Sequence, residues 1–193
     1  MEGLLNIPGP NLGAFDPSGI IFAVLSQSLN TLLLYDLRNF DKEPFSEFSL
    51  SDDSFLQKFS FPARMPEFQR LEFTNDGKHI FVGTTGKVHY SIHSFEGNIV
   101  SRMIGHEPVE TAELNAGNSC VTPDGRYALA ASNDRQIMVW DLHRKTPEVR
   151  ESKSISTKSV GICDLVAFNH KSALMVTTSK EALTFWLPDA SVS

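Results

Sequence analysis

The stretch of residues 121–142 reads VTPDGRYALAASNDRQIMVWDL, and its alternation of turns and apolar runs is the strongest indication of the fold. It opens with the turn sequence Pro123-Asp124-Gly125, in which proline presets φ, aspartate folds back onto the backbone and glycine supplies a positive φ. The run 127–132 is short and apolar, as in a strand buried on both faces, and a polar turn then leads to a second apolar strand at 137–140. The stretch therefore predicts two strands joined by tight turns, and no segment of the chain keeps a helical period for long.

The same unit occurs four times along the chain. Its turn glycines are Gly19, Gly77 and Gly125, Ser172 takes the equivalent place in the fourth copy, and the spacings are 58, 48 and 47 residues. Short strands that recur with a period of about 45 residues are the signature of β-propeller blades. The sequence thus predicts an all-β propeller of about four blades, with repeat units at approximately 11–48, 69–102, 105–148 and 158–189. A longer connection, the inserted loop 49–67, separates the first two.

Length and composition exclude several classes of protein. The chain has 193 residues, of which 41% are hydrophobic, and this suits one packed domain. Its net charge of −6 argues against direct nucleic-acid binding, which needs a basic surface. No apolar run is long enough to cross a membrane, and the first residues lack the features of a secretory signal. Cys120 and Cys163 make no disulfide framework and are expected to be reduced and buried.

The third unit resembles a WD repeat. Trp140-Asp141 is the dipeptide that names the family, and Tyr35-Asp36 is a variant of it in the first unit. Gly105-His106 stands where a Gly-His dipeptide opens such a repeat. The other units depart from the pattern, since Ser94 replaces the aspartate in the second and Leu187-Pro188 follows the tryptophan of the fourth.

The WD resemblance implies a structural role for a set of residues. It implies that His106, Ser132, Asp134 and Trp140 form one hydrogen-bonded set, in which a carboxylate accepts from the imidazole and a hydroxyl joins it to the indole N–H. Only the third blade is expected to hold the full set. The residues expected to be structural are Gly19, Asp36, Gly77, His106, Asp124, Gly125, Ser132, Asp134, Trp140, Asp141 and Trp186.

Longer stretches of the sequence resemble one particular family of WD-repeat proteins. These are AFDPSGIIFA at 14–23, LYDLRNFDKEPF at 34–45, LEFTNDGK at 71–78 and FWLP at 185–188. Together they resemble the WD-repeat subunit shared by the Set-one/COMPASS histone lysine methyltransferase complex and the fungal cleavage and polyadenylation factor. The resemblance implies a nuclear, non-catalytic scaffold without a cofactor. It also implies protein partners: the methyltransferase catalytic subunit, polyadenylation-factor and phosphatase subunits, and the phosphorylated tail of RNA polymerase II.

Proteins of that family close a ring of seven blades, so this chain would correspond to the C-terminal part of the propeller. Three N-terminal blades would be missing, and the last blade would lack the outer strand that the N-terminus donates in a closed ring. Open sheet edges expose unpaired backbone groups and apolar side chains. The chain is therefore expected to be unstable alone or to pair with another half. A monomeric, cooperatively melting species of 21.4 kDa in light scattering would contradict this expectation.

The inserted loop offers candidate partner contacts. Phe55, Phe59 and Phe61 could anchor a partner, or they could pack back on their own blade. The adjacent acidic pair Asp52-Asp53 is expected to be solvated.

Basic residues after the WD-type dipeptides are further candidates. Arg38 and Lys42 follow Tyr35-Asp36, and Arg144 and Lys145 follow Trp140-Asp141. Such side chains could pair with phosphate, or they could be ordinary solvated loop charges.

No residue pattern points to catalysis or metal binding. The phosphate-loop-like sequence 83–87 lacks the first glycine and the final hydroxyl and is better interpreted as a hairpin turn. His89 and His93 would lie about 13 Å apart on a strand, too far to share one ion. A propeller enzyme would need convergent histidines and carboxylates on inner strands, and these do not recur at repeated positions. The remaining alternative is a half-propeller without independent function.

Overall fold

The computed structural model describes residues 5–109, 117–144, 148–150, 153–158 and 160–189. Nearly all regular structure within these ranges is β, in four sheets that follow one another along the chain. The first sheet contains β1 (Asn11–Phe15), β2 (Ile21–Ser26), β3 (Thr31–Asp36) and β4 (Ser46–Ser49). A turn of 3₁₀ helix, Leu37–Asn39, follows β3, and the short helix α1 (Asp53–Leu56) precedes the second sheet.

The other three sheets repeat this plan with variations. The second contains β5 (Phe68–Phe73), β6 (His79–Thr84), β7 (Val88–His93) and β8 (Ile99–Ile104). The third contains β9 (Ser119–Val121), β10 (Tyr127–Ser132), β11 (Gln136–Asp141) and β13 (Lys153–Ser156), and β12 (Glu148–Arg150) lies between β11 and β13 in sequence. The fourth contains β14 (Leu165–Phe168), β15 (Met175–Thr178) and β16 (Leu183–Trp186).

Pairing within each sheet is antiparallel, with one exception. β12 pairs in parallel with the outer strand of the second sheet, with Glu148 opposite Arg102 and Arg150 opposite Ile104. The chain thus leaves the third sheet after β11, adds a strand to the second sheet and returns as β13. The first strands of successive sheets contact one another, β1 with β5, β5 with β9 and β9 with β14. The four sheets remain unclosed, as in a partial propeller.

An apolar core lies between each pair of successive sheets. One lies between the first and second sheets and includes Leu32, Phe68 and Tyr90; the next lies between the second and third and includes Phe81 and Trp140. The last lies between the third and fourth sheets and includes both cysteines. Both thiols are free and buried, as predicted, and burial raises the pKa of Cys120 to about 12.

The third unit differs from its predicted limits. The outer strand of its sheet is β13, which lies beyond the predicted unit 105–148. Its residues, Lys153 to Ser156, are mostly exposed, so the segment has no apolar signature that sequence reasoning could use. The other predicted limits, 11–48, 69–102 and 158–189, stay predictions.

Apolar side chains remain exposed on the terminal sheets. In β1, Leu12 packs in the first core while Phe15 is exposed; in β16, Trp186 packs against the last core while Leu183 and Phe185 are exposed. This alternation is that of a strand with one face packed and the other open. The described residues contain no helix with the length and apolar character needed to cross a membrane.

Candidate interaction site

The turn glycines adopt the conformation that the turn sequences require. Gly19, Gly77 and Gly125 have φ of +69°, +67° and +68°, a region that L side chains rarely adopt. Asp124 accepts hydrogen bonds from the Thr122 hydroxyl and the Arg126 N–H. The Thr122 bond is the largest cause that lowers the pKa of the Asp124 carboxyl. The geometry of these residues is that of a turn within the blade.

The aspartates of the WD-type dipeptides also hold turns. Asp36 accepts from the N–H of Arg38 at 2.9 Å, and Asp141 accepts from the N–H of His143 at 3.0 Å. In the second sheet Ser94 stands at this place, and its hydroxyl instead donates to the Gly77 carbonyl at 2.7 Å.

His106 and Trp140 both lie buried between the second and third sheets, but they bond to backbone groups. The indole N–H of Trp140 donates to the Ile104 carbonyl at 3.0 Å. Nε2 of His106 lies 2.9 Å from the Gly86 carbonyl, which can only accept, so this nitrogen carries the proton. The two rings meet edge to face, with centroids 5.6 Å apart.

Ser132 and Asp134, the other two members of the expected set, have different hydrogen-bond partners. The Ser132 hydroxyl accepts from the N–H of Glu107 at 2.9 Å, and the Asp134 carboxylate accepts from the Gln136 side chain at 2.9 Å. The prediction of one hydrogen-bonded set running from carboxylate to indole is therefore wrong for this chain.

Strand register explains why the set does not form. In the fourth sheet the indole N–H of Trp186 donates to Thr177 at 2.9 Å, and Thr177 lies two residues beyond the strand partner of that tryptophan. The same place relative to Trp140 is occupied by Ala130, which has no hydroxyl. Ser132, the predicted partner, stands two residues farther along β10. The tryptophan–hydroxyl bond thus occurs in the fourth sheet, where the sequence had shown no full WD pattern.

A second histidine, which sequence reasoning did not assign to this place, completes the buried group. The His89 ring stacks on His106 with centroids 4.1 Å apart and meets Trp140 edge-on at 5.7 Å. Its Nδ1 accepts from the N–H of Thr84 at 3.0 Å. Burial, and then the neighbouring His106, lowers the pKa of His89, and burial lowers the pKa of His106. The pair is therefore neutral at pH 7.

Acid is expected to destabilise the chain through this pair. Because both pKa values are lower in the folded state than the ordinary 6.5, the unfolded chain binds more protons below pH 6.5, and the stability present above that pH is lost as pH falls. The loss is at most about 1.4 kcal/mol for each histidine per pH unit. Urea midpoints at pH 7.5 and 5.5 measure it. His106→Gln should weaken this pH dependence, whereas the exposed control His170→Gln should retain it. A midpoint that does not fall at pH 5.5 contradicts the assignment.

The inserted loop is anchored by a buried ion pair. Asp52 is buried, and its carboxylate accepts two bonds from the Arg102 guanidinium of β8, at 2.7 Å from Nε and 2.8 Å from Nη2. The expectation that Asp52 is solvated is therefore wrong. The carboxylate lies at the start of α1, where the outer strand of the second sheet supplies a cation that compensates it.

The three phenylalanines of the loop have different environments. Phe55 packs in the first core, and the guanidinium of Arg102 lies 5.0 Å from its ring centroid. Phe59 is 42% exposed, and Phe61 is 94% exposed. Phe55 therefore packs back on the protein, whereas Phe59 and Phe61 are exposed.

The basic candidates that the structure describes, Arg38, Lys42 and Arg144, are all exposed. Arg38 pairs with Asp36 through two bonds, at 2.9 Å from Nε and 2.6 Å from Nη2, and this pairing lowers the pKa of Asp36 to about 2. Lys42 donates to the Asn39 side chain at 3.2 Å, and Arg144 is exposed. Lys145 lies outside the described residues.

The phosphate-loop-like sequence 83–87 and the pair His89 and His93 lie in ordinary strands and a turn. Residues 85–87 form the hairpin turn between β6 and β7, as predicted. His89 and His93 share strand β7, and in the described part of the chain no three histidine, cysteine or acidic side chains are placed to hold a metal ion.

The fold is a partial WD-repeat propeller. Its sheets of three to five strands are unclosed, its turn glycines stand at repeated places, and tryptophans lie on the third strands of the third and fourth sheets. No family model matches the chain. Curated relatives do match it: the uncharacterized WD repeat-containing protein C824.04 of Schizosaccharomyces pombe is 34% identical over 192 residues, 97% of this chain and 56% of that protein. The COMPASS component SWD2 of Saccharomyces cerevisiae is 30% identical over 184 residues, 93% of this chain and 53% of that protein.

The Set1 complex component swd2 of Schizosaccharomyces pombe is 26% identical over 154 residues, 78% of this chain and 40% of that protein. The chain is thus similar in sequence to WD-repeat proteins, SWD2 among them. It spans about half the length of the curated relatives it matches. Their names indicate no enzyme family.

Proposed function

We propose that the chain acts as a non-catalytic WD-repeat scaffold in a nuclear complex of the Set1/COMPASS type for histone lysine methylation. The observation that carries the proposal is the 30% identity to the COMPASS component SWD2 along 93% of the chain. The stacked sheets support it physically, because a rigid propeller presents loops to partners and acts by positioning them.

The finer proposal is that the protein also serves mRNA 3′ end processing and couples these activities to RNA polymerase II. Its proposed partners are the methyltransferase catalytic subunit, polyadenylation-factor and phosphatase subunits, and the phosphorylated polymerase tail. The resemblance of the stretches 14–23, 34–45, 71–78 and 185–188 supports this proposal. Arg38 and Lys42 are proposed contacts for phosphate, and Phe59 and Phe61 are proposed contacts for a protein partner.

The test is affinity purification of the tagged protein from its native nuclei, followed by mass spectrometry of the bait and its partners. Methyltransferase subunits are expected in the eluate, and polyadenylation-factor subunits are expected if both complexes are served. A bait accompanied only by chaperones would contradict the scaffold role and favour a half-propeller without independent function. Turnover of a small substrate by the purified protein would favour a propeller enzyme.

A further inference from the structure

The inserted loop presents two phenylalanines at the surface while its ends are fixed. The segment 57–66 begins after α1, and within it Phe59 is 42% and Phe61 is 94% exposed. Phenylalanine is the kind of residue that anchors interfaces when it is buried by a partner. A side chain as exposed as that of Phe61 contributes little to the fold of its own chain.

The start of the segment is held by charge and packing. The buried Asp52–Arg102 ion pair joins the residue before α1 to β8. Phe55 lies in the core under the Arg102 guanidinium, and the Phe59 ring is 5.8 Å from the Phe55 ring. The start of the segment is therefore anchored to the second sheet.

The C-terminal end of the segment is also held, by packing and by a hydrogen bond. Ala63 and Met65 pack against the first core. A Cβ placed on Gly86 would come within 2.8 Å of the Pro66 side chain, so the hairpin between β6 and β7 and this end of the segment are in close contact. The Gln27 side chain accepts from the N–H of Phe68 at 2.6 Å. Fixing both ends lowers the entropy lost when the exposed tip binds.

The segment differs in charge from the rest of the chain. Between Asp53 and Glu67 it carries Lys58 and Arg64 and no carboxylate, whereas the whole chain has a net charge of −6. The Lys58 ammonium lies 4.2 Å from the centroid of the Phe55 ring, and Arg64 is exposed beyond Phe61. In the sequence, the two cations thus flank Phe59 and Phe61. A complementary partner surface is apolar at its centre and acidic at its rim.

We propose that the segment 57–66 is a docking surface for a protein partner that offers an apolar pocket for Phe61, rimmed by carboxylates. The inference rests on the proposed scaffold function, since it names the surface and the chemistry by which the scaffold holds one partner. Phe61 enters the pocket, Phe59 covers its edge, and Arg64 pairs with the acidic rim.

A photo-crosslinking experiment in cells that express the full protein tests the proposal. The photoreactive residue p-benzoylphenylalanine replaces Phe61 in one variant and Phe95 in a control. Phe95 is 65% exposed, but it follows β7 at the end of the second sheet opposite the Gly86 hairpin. The expected result is an adduct at position 61, and not at position 95, with an aspartate- or glutamate-rich segment of one partner protein.

Charge reversal at Arg64 then tests whether the partner's pocket has an acidic rim. Arg64→Glu should reduce the adduct at position 61 at least fivefold, whereas Arg144→Glu, at another exposed arginine, should leave it unchanged. Equal melting midpoints of the two variants exclude a folding defect. Adducts only with a second copy of the chain or with lipid, no excess over position 95, or an adduct that resists Arg64→Glu would each overturn the proposal. An acidic partner outside both proposed complexes would support the docking surface and contradict the proposed function.

Discussion

Replacement of Trp140 by alanine is expected to lower the free energy of unfolding by about 3–5 kcal/mol. The indole is fully buried between the second and third sheets. Its removal leaves a cavity beside Phe81 and Met103 and leaves the Ile104 carbonyl without its donor. The stacked pair His89 and His106 also loses the ring that both imidazoles meet at nearly right angles. Urea denaturation followed by circular dichroism measures the change.

Trp186→Ala is the matched control for this loss. Trp186 is partly exposed and borders the last core, so the same substitution removes less buried surface and should cost less. If the Trp140 variant lost less stability than the Trp186 variant, the packing between the second and third sheets would not have the role assigned to it.

Arg102→Ala is expected to lower the free energy of unfolding by about 3 kcal/mol. The substitution leaves the carboxylate of Asp52 buried without its cation, and an unpaired buried charge is costly. The value is at the low end for buried pairs because the arginine side chain is 21% exposed. The variant should also free α1 from β8, so the amides of α1 should exchange with solvent faster. Chemical denaturation and hydrogen exchange read by mass spectrometry measure the two effects.

Arg38→Ala is the control for this prediction. Arg38 also pairs with an aspartate through two bonds, but its side chain is 75% exposed and the pair contributes little. Its melting midpoint should match that of the unchanged protein. The double variant Asp52→Asn with Arg102→Ala should recover part of the stability, because the unpaired charge is removed. Additive losses from the two substitutions would contradict a direct ion pair.

The turns could be predicted from the sequence because their chemistry is local. Gly77 and Gly125 stand in Asn-Asp-Gly and Pro-Asp-Gly sequences, and both adopt the positive φ that such turns require. The strands around them follow from apolar runs. By contrast β13 and β12 are short and carry no apolar run, so their pairing depends on neighbouring sheets that a linear pattern does not describe.

The buried polar group shows where a family pattern misleads. The expected acceptor for Trp140 was Ser132, but strand register places Ala130 at that position and turns the indole to a backbone carbonyl. The sequence relates His89 only to His93, because both lie on one strand. Its actual neighbour, His106, is brought to it by the packing of the segment after β8, which no sequence period records.

The inserted loop illustrates a related limit. Phe55, Phe59 and Phe61 are the same residue type within seven positions, and composition does not distinguish them. One turn of helix directs Phe55 inward, and the chain beyond it leaves Phe61 in solvent. Asp52 likewise looked like a surface acid, because its partner Arg102 stands 50 residues later in the chain.

The parallel pairing of β12 with β8 has a consequence for how the protein could be divided or rearranged. A segment that leaves the third sheet contributes backbone hydrogen bonds to the second sheet before it returns. The second and third blades are therefore connected by strand pairing and are not independent modules. Their unfolding should be coupled more tightly than nearest-neighbour packing alone would make it. A fragment cut between them would deprive the second sheet of β12, because this strand lies beyond the cut, whereas the third sheet would keep all its strands. The exposed residues 57–62 of the inserted loop, where no strand crosses over, are a better position for splitting the protein into complementing fragments or for permuting its termini.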